Sequence, residues 1–335
     1  MNKSVKVFSE SGIYAGWPAN HGAWQWGDEF LVGFLWGKYK RTSMHNIAEP
    51  FTKSLARSLD GGATWRVETP NVDFECICPA DTAPSFDLNQ SIMRVCGVYD
   101  HGGDVCYEPG GFYLSEDKGK SWLGAYPFTG LEEMLSGDYL CTARTRVQDG
   151  LIFLSRGQKR MWGTDETFCA THDGTRFVFK SWVCNDNARA VMPAVARVEG
   201  TLVAVLRRRR TAKREGWIDA FFSEDEGVSW KALGQVGVTG SRNGNPPALI
   251  ALPDGRLCCC YGDRDHGNIL CTFSSNKGKT WAPPVLVRSG SESEKDIGYP
   301  QLFLRSDGVP VCVYYWADSS TPHQHIAATS LEDLV

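Results

Sequence analysis

The chain has 335 residues, of which 42% are hydrophobic and 22% are charged, and its formal net charge is −4. This composition is that of a folded protein, and it excludes a disordered or fibrous chain and argues against a general binder of nucleic acid or anionic membranes. No apolar run approaches the roughly 18 residues of a membrane-spanning segment. The first residues lack the pattern of a secretory signal peptide, so we expect a cytoplasmic protein with neither nucleic-acid nor membrane partners.

The elements predicted in chain order are almost all strands, beginning with Val5–Phe8, and only Gly130–Ser136 has a helical pattern. A box of the form S-x-D-x-G-x-x-W follows several of these strands. Its four copies, with a degenerate fifth at Thr171–Thr175, recur every 51 to 57 residues: Ser58–Trp65, Ser115–Trp122, Ser223–Trp230 and Ser274–Trp281. Asp or Asn binds backbone N–H groups in tight turns and glycine supplies positive φ, so each box predicts a hairpin turn.

A second pattern, strand–glycine turn–strand, lies upstream of the boxes, as in Pro193–Leu206 and Pro300–Tyr315. Four strands in each unit of this length are typical of a β-propeller. We therefore predict an all-β, six-bladed propeller that occupies residues 1–335 as a single domain. The last unit lacks room for a fourth strand, so Val5–Phe8 is expected to supply it and to close the ring.

The boxes resemble the Asp-boxes of the sialidase (neuraminidase) superfamily, and the resemblance covers nearly the whole chain. In that family the boxes lie on the propeller face opposite the active site. The resemblance therefore implies a structural role for the residues at the third box position, which are Asp60, Asp117, Asp225 and Asn276.

Sialidases bind a substrate carboxylate with three arginines and use a tyrosine nucleophile, paired with a glutamate, and an aspartate as acid/base catalyst. The resemblance implies that Tyr299, in Asp296-Ile-Gly-Tyr299-Pro, is the nucleophile, and that Arg264 and one arginine of the run 207–210 bind an anionic group. The first family arginine has no counterpart, because the sequence there is Gly16-Trp17-Pro18. The acid/base aspartate is also missing from its loop, which offers His45 and Glu49, and Glu215 lies only in the blade expected for the glutamate.

The candidate catalytic residues are Tyr299, His45, Glu49 and His21, since histidine titrates near neutrality and carboxyl groups transfer protons. Arginine, amide and tryptophan side chains suit an anionic, polyhydroxylated ligand. The predicted substrate-binding residues are Arg207, Arg208, Arg210, Arg242, Asn245, Arg264, Trp24 and Asp296. Along a strand the arginines at 207–210 alternate in direction, so only some of them can face the ring.

The twelve cysteines form no C-x-x-C pair and lie mostly in apolar runs. We expect buried free thiols, and neither a metal site nor another cofactor. The expected function is exo-acting hydrolysis of a terminal acidic or deoxy sugar on a small saccharide. Two alternatives stay open: a uronic-acid lyase that uses His, Tyr and Arg, and a carbohydrate-binding propeller without catalysis. The sequence leaves the oligomeric state open.

Overall fold

The computed structural model describes residues 3–42, 45–74, 82–96, 111–135, 139–141, 146–158, 165–186, 188–209, 215–241, 244–292 and 296–335. Six antiparallel sheets follow one another along this chain, as predicted. The first strand, β1 (Ser4–Phe8), belongs to the last sheet. Blade 1 contains β2 (Ile13–Gly16), β3 (Ala23–Trp26), β4 (Glu29–Tyr39), β5 (Ile47–Ser58) and β6 (Arg66–Glu68). Blade 2 contains β7 (Ile92–Cys96), β8 (Gly111–Ser115) and β9 (Leu123–Pro127), and blade 3 contains β10 (Tyr139–Cys141), β11 (Arg146–Gln148), β12 (Leu151–Gln158), β13 (Glu166–His172) and β14 (Phe177–Cys184).

The other three blades each contain four strands. These are β15 (Arg189–Val198), β16 (Thr201–Arg209), β17 (Gly216–Ser223) and β18 (Lys231–Gly240) in blade 4; β19 (Ala248–Ala251), β20 (Leu257–Asp263), β21 (Asn268–Ser274) and β22 (Val285–Arg288) in blade 5; and β23 (Gly298–Leu304), β24 (Pro310–Asp318) and β25 (Thr321–Ser330) in blade 6, where β1 is the fourth strand. Strand β1 pairs with β25, Val5 opposite Ala328, which confirms the predicted closure. The predicted helical segment contains a short helix, α1 (Glu132–Leu135), and two 3₁₀ helices occupy Pro18–Asn20 and Glu332–Leu334.

The Asp-box turns share one hydrogen-bond network. In the blade 2 turn, the Ser115 hydroxyl donates to Asp117, whose carboxylate accepts from the backbone N–H of Ser121 (2.8 Å). The Trp122 indole donates to the carbonyl of Gly119, which completes the turn. Asn276 takes the place of the aspartate in blade 5 and accepts the equivalent bond from Thr280 (2.9 Å). We call the face that carries these turns the lower face.

Apolar side chains fill the spaces between neighbouring blades, because successive residues of a strand point to opposite sides. On β20, Cys258 and Cys260 face blade 6, whereas Leu257 and Cys259 face blade 4.

Three residues of the inner strands or next to them have a positive φ and precede a proline: Trp17 (φ 55°) directly after β2, Met192 (φ 57°) within β15, and Tyr299 (φ 49°) within β23. The residue before proline ordinarily adopts an extended conformation, so these three conformations are held by their surroundings. The strand register shifts at Val191/Ala194 and at Gly298/Gln301, next to two of them. The repeated X–Pro irregularity brings the side chains of Trp17, Met192 and Tyr299, from blades 1, 4 and 6, into one buried cluster.

Candidate active site

A cluster of polar side chains lies at the upper ends of blades 1, 4, 5 and 6. Tyr299 stands near the start of β23 and Asp296 just before it, while Arg207 lies in β16 and Arg264 directly follows β20. All four side chains are at least nine-tenths buried. The structure thus brings together four residues that the sequence analysis singled out, although they come from three blades.

Arginine side chains surround the Tyr299 phenol. Arg207 donates a hydrogen bond to its hydroxyl oxygen (3.1 Å), and the Arg207 and Arg264 guanidinium carbons lie 5.6 and 5.4 Å from the ring centroid. Burial by itself would raise the pKa of Tyr299, but the positive charges of Arg207 and Arg264 outweigh it and lower this pKa below its usual value. The environment therefore favours the phenolate, which is the nucleophilic form of the side chain.

Asp296 accepts hydrogen bonds from two buried phenols, those of Tyr14 (2.8 Å) and Tyr315 (2.7 Å). Arg264 in turn donates to the Tyr315 hydroxyl (3.2 Å). Burial opposes ionisation of Asp296, but hydrogen bonding and the charges around it hold its pKa below the usual value. Burial and the Asp296 charge raise the pKa of both Tyr14 and Tyr315 well above normal, so these two phenols stay protonated donors, in contrast to Tyr299.

His45 is a partly exposed hydrogen-bond partner of Asp296. Its Nδ1 lies 3.0 Å from a carboxylate oxygen of Asp296, and 19% of its side chain is exposed. The Trp17 ring meets the imidazole edge-on, with 5.0 Å between ring centroids. The carboxylate holds one ring nitrogen and thereby orients the imidazole, a group that can accept and donate a proton, so this pair is a candidate for acid/base chemistry.

Asn245 holds the backbone at Tyr299. Its side-chain oxygen accepts from the N–H groups of Tyr299 (3.0 Å) and Gly262 (3.3 Å), and its amide nitrogen donates to the carbonyl of Ile297 (2.8 Å). A Cβ at Gly298 would lie 2.5 Å from the Asn245 oxygen, which explains glycine there. Asn245 was predicted to bind substrate; because it is fully buried and bonded to backbone, the structure gives it a positioning role instead.

Other predicted residues lie away from this cluster. Glu49 is exposed on β5. Arg208 points to the side of its strand, where it forms ion pairs with Asp186 and Asp219 (3.2 Å to the latter), because strand alternation turns it away from Arg207. Arg210 and Arg242 lie outside the described residues. Glu215, which stands in the blade expected for a tyrosine-paired glutamate, is exposed.

His21 and Trp24 belong to the interface between blades 1 and 2. His21 Nδ1 lies 2.9 Å from a terminal nitrogen of Arg94, and the Trp24 ring packs against Trp122 at 5.3 Å between centroids. Trp24 also lines an axial cavity of about 410 Å³ together with Gln25, Asn89, Gln148 and Gln301. The lining of this cavity does not include Tyr299, Asp296, Arg207 or Arg264, so Trp24 does not form part of the Tyr299 cluster.

Sequence reasoning missed Tyr14, Tyr315, Met192 and Arg189. The Met192 sulfur lies 3.4 Å from the same Arg207 nitrogen that binds Tyr299, and the positive charge of Arg189 adds to the lowering of the Tyr299 pKa. The signal available for Met192 was its position before a proline at the start of an inner strand, as at Tyr299. Tyr14 and Tyr315 carry no such signal, because the apolar pattern of a strand predicts that a tyrosine within it belongs to the core.

The comparisons with known proteins agree with this architecture. A family model described as BNR repeat-like domain matches residues 98–312, well over half of the chain. The chain belongs to this family and, with its six blades and Asp-box turns, to the sialidase-like superfamily. No curated protein matches the sequence significantly.

Several solved structures share the fold. A protein of unknown function from Dyadobacter fermentans superposes with a TM-score of 0.72 at 18% identity, covering 98% of this chain and 97% of the other. The Hadza microbial sialidase Hz136 superposes with a TM-score of 0.59 at 17% identity, covering 96% of this chain and 66% of the other. An α-L-arabinanase from Penicillium chrysogenum superposes with a TM-score of 0.57 at 14% identity, covering 100% of both chains. The architecture is therefore one that glycoside hydrolases use. None of the helices in the described residues is long and apolar enough to span a membrane.

Proposed function

We propose that this protein is an exo-acting glycoside hydrolase that removes a terminal acidic sugar from a small saccharide. The observation that carries the proposal is the Tyr299 phenol, buried and hydrogen-bonded by Arg207, with Arg264 beside its ring. Among the three clustered phenols, this one has the environment of a nucleophile, whereas Tyr14 and Tyr315 act as donors to Asp296.

In the proposed reaction, His45 begins protonated and Tyr299 begins as the phenolate, which attacks the anomeric carbon and forms a covalent glycosyl–tyrosine bond. The bond to the leaving oxygen breaks as His45, held by Asp296, gives that oxygen its proton. Water then attacks the anomeric carbon, His45 takes a proton from the water, and the tyrosine oxygen leaves. The sugar is released with its anomeric configuration retained, because two displacements occur at one carbon.

Arg264 supports recognition of an anionic group. Its Nε is buried and has no hydrogen-bond partner within the part of the chain that the structure describes. A buried guanidinium with unused donors is stabilised by an anion, and arginine suits carboxylates because of its planar, forked donors. Arg207, fully buried beside it, adds a second positive charge, and burial lowers its pKa to about 10.

The test is turnover of a panel of sialosides, uronosides and arabinosides by the wild type and by Tyr299→Phe. We expect one class to be hydrolysed, and we expect Tyr299→Phe to lose at least 100-fold in kcat, in the range of nucleophilic and proton-transfer contributions (about 10²–10⁴). Tyr261→Phe is the matched control, since Tyr261 is an equally buried phenol on the blade 4 side of β20. Equal losses in the two variants would refute the assignment of Tyr299. An unsaturated product that absorbs in the ultraviolet would identify a uronic-acid lyase.

One observation favours a binding protein without catalysis as the second candidate. Trp17, fully buried, directly follows the first inner strand β2, at the position that corresponds to an arginine of the carboxylate clamp in sialidases. Loss of that arginine weakens a bidentate contact with the substrate. Saturable binding of one panel sugar by calorimetry, with no product from the wild type, would establish this candidate.

A further inference from the structure

Four cysteines meet between blades 5 and 6, away from the Tyr299 cluster. Cys258 and Cys260 lie on β20, Cys271 on β21 and Cys312 on β24, and all four side chains are fully buried. The sulfur atoms of Cys258, Cys260 and Cys271 lie within 4.8 Å of one another, and those of Cys258 and Cys271 are 3.4 Å apart. Cys312 packs against these three in the same buried cluster.

Strand pairing produces this convergence. Cys258 and Cys260 are two residues apart and so share a face of β20, and Cys260 is directly opposite Cys271 in the β20–β21 ladder. Cys312 approaches from the neighbouring blade, within the same apolar cluster. Cys259, between the first two, points to the opposite side and packs against blade 4.

We propose that these cysteines form a structural site for one thiophilic d¹⁰ cation, Zn(II) or Cu(I), with Cys258, Cys260 and Cys271 as ligands and Cys312 as the fourth. Metal–sulfur distances of about 2.3 Å place the sulfurs of a tetrahedral or trigonal site about 3.8–4.0 Å apart. The separations among the sulfurs of Cys258, Cys260 and Cys271 lie within 4.8 Å and include one of 3.4 Å, so shifts of up to about an ångström bring these three into register. Cys312 lies outside this close group and must move toward it to become the fourth ligand. Thiolates select these cations over hard ones such as Mg²⁺ and Ca²⁺.

Loading of the site is coupled to folding. Because the thiols are fully buried, the cation must enter before blades 5 and 6 close against each other. Each ligand thiol releases its proton to water as its metal–sulfur bond forms. The bound cation would join β20 to β24, the strands that lead to Arg264 and contain Tyr315, and would thereby stabilise that side of the candidate active site.

The experiment unfolds the full chain under reducing conditions and refolds it in separate arms with Zn(II), Cu(I) or Cd(II), followed by chelator treatment of the folded protein. We expect one cation per chain that the chelator does not remove, a higher midpoint of thermal unfolding, and thiolate-to-metal charge-transfer absorption in the Cd(II) arm. Wild-type protein that refolds in every arm with metal no higher than the buffer blank would overturn the proposal.

Variants locate the site. Cys271→Ala and Cys258→Ala should each refold with metal reduced to background, whereas Cys259→Ala, an equally buried cysteine on the other face of β20, should keep one cation. Metal loss in Cys259→Ala equal to that in the other two would also contradict the assignment. If an alanine variant fails to fold, the metal-loaded wild type can be alkylated while it unfolds, and mass spectrometry then gives the order in which its cysteines react. The four ligand cysteines should react after Cys259.

Discussion

The aspartates at the two faces of the propeller differ in how far away in sequence their hydrogen-bond donors lie. In the blade 2 turn, Asp117 is bonded by Ser115 and Ser121, two and four residues away. At the upper face, Asp296 is bonded by Tyr14, His45 and Tyr315, which come from blades 1 and 6. The first aspartate stabilises its own turn, whereas the second joins blades 1 and 6 at the candidate active site.

This difference predicts that substitutions at the lower face change stability, and that those at the upper face change turnover. Both aspartates are ionised in folded surroundings that lower their pKa, so charge alone does not separate them. What separates them is whether the hydrogen-bond donors are neighbours in sequence or are brought together by the closed ring.

Asp296→Asn should have the largest effect. The amide keeps the shape but removes the charge that holds His45, so kcat/KM for the sugar identified in the panel should fall about 10²–10⁴-fold. The matched control is Asp117→Asn, a substitution that the natural Asn276 shows to be compatible with the turn. A kcat/KM for Asp296→Asn within a few-fold of wild type would remove His45–Asp296 from the mechanism.

Asn245→Ala should have the next largest effect on turnover. Loss of its three hydrogen bonds frees the left-handed backbone at Tyr299, so we expect kcat to fall on the order of 100-fold with little change in KM. The control is Asn276→Ala, which removes an asparagine from a turn of the lower face and should leave kcat unchanged. An unchanged kcat in Asn245→Ala would show that Tyr299 is positioned by other contacts.

The same contrast explains what the sequence could predict. The six blades, the closing strand and the box turns follow from a local motif repeated at regular spacing, and the structure confirms them. The family resemblance made Tyr299, Arg207 and Arg264 candidates. His45 was a candidate because it lies in the loop where the family's aspartate is missing, and Asp296 was predicted to bind substrate. Tyr14, Tyr315 and the positioning role of Asn245 were missed, because their contacts join residues from different blades and leave no local pattern in the sequence.

Asp117→Ala should act on stability alone. It removes hydrogen bonds from Ser115 and Ser121 in an exposed turn, so we expect the free energy of unfolding to fall by about 1–2 kcal/mol, since a net hydrogen bond contributes about 0.5–1.5 kcal/mol. Denaturant titration measures this change, and kcat/KM should match that of the wild type. A loss of turnover without a loss of stability would contradict the structural role of the turn.

Acid should weaken the box turns, and protonation of a single box aspartate should have the smallest effect of the changes predicted here. Hydrogen bonds from Ser229 and Ser223 lower the pKa of Asp225 to about 2 in the folded protein, whereas an unfolded aspartate titrates near about 3.9. Because the folded pKa is the lower one, the stabilisation is complete above about pH 4 and is lost as the pH falls toward about 2.

Asp225→Asn isolates this contribution, since an asparagine already serves the blade 5 turn. Between about pH 4 and pH 2 the free energy of unfolding should fall less in the variant than in the wild type. The difference should equal the contribution of one titrating carboxyl group, that of Asp225. Because Asp225 is exposed, added salt should shrink the difference further. Denaturant titrations at several pH values measure it, and parallel pH profiles for the two proteins would show that the turn does not depend on the charge of Asp225.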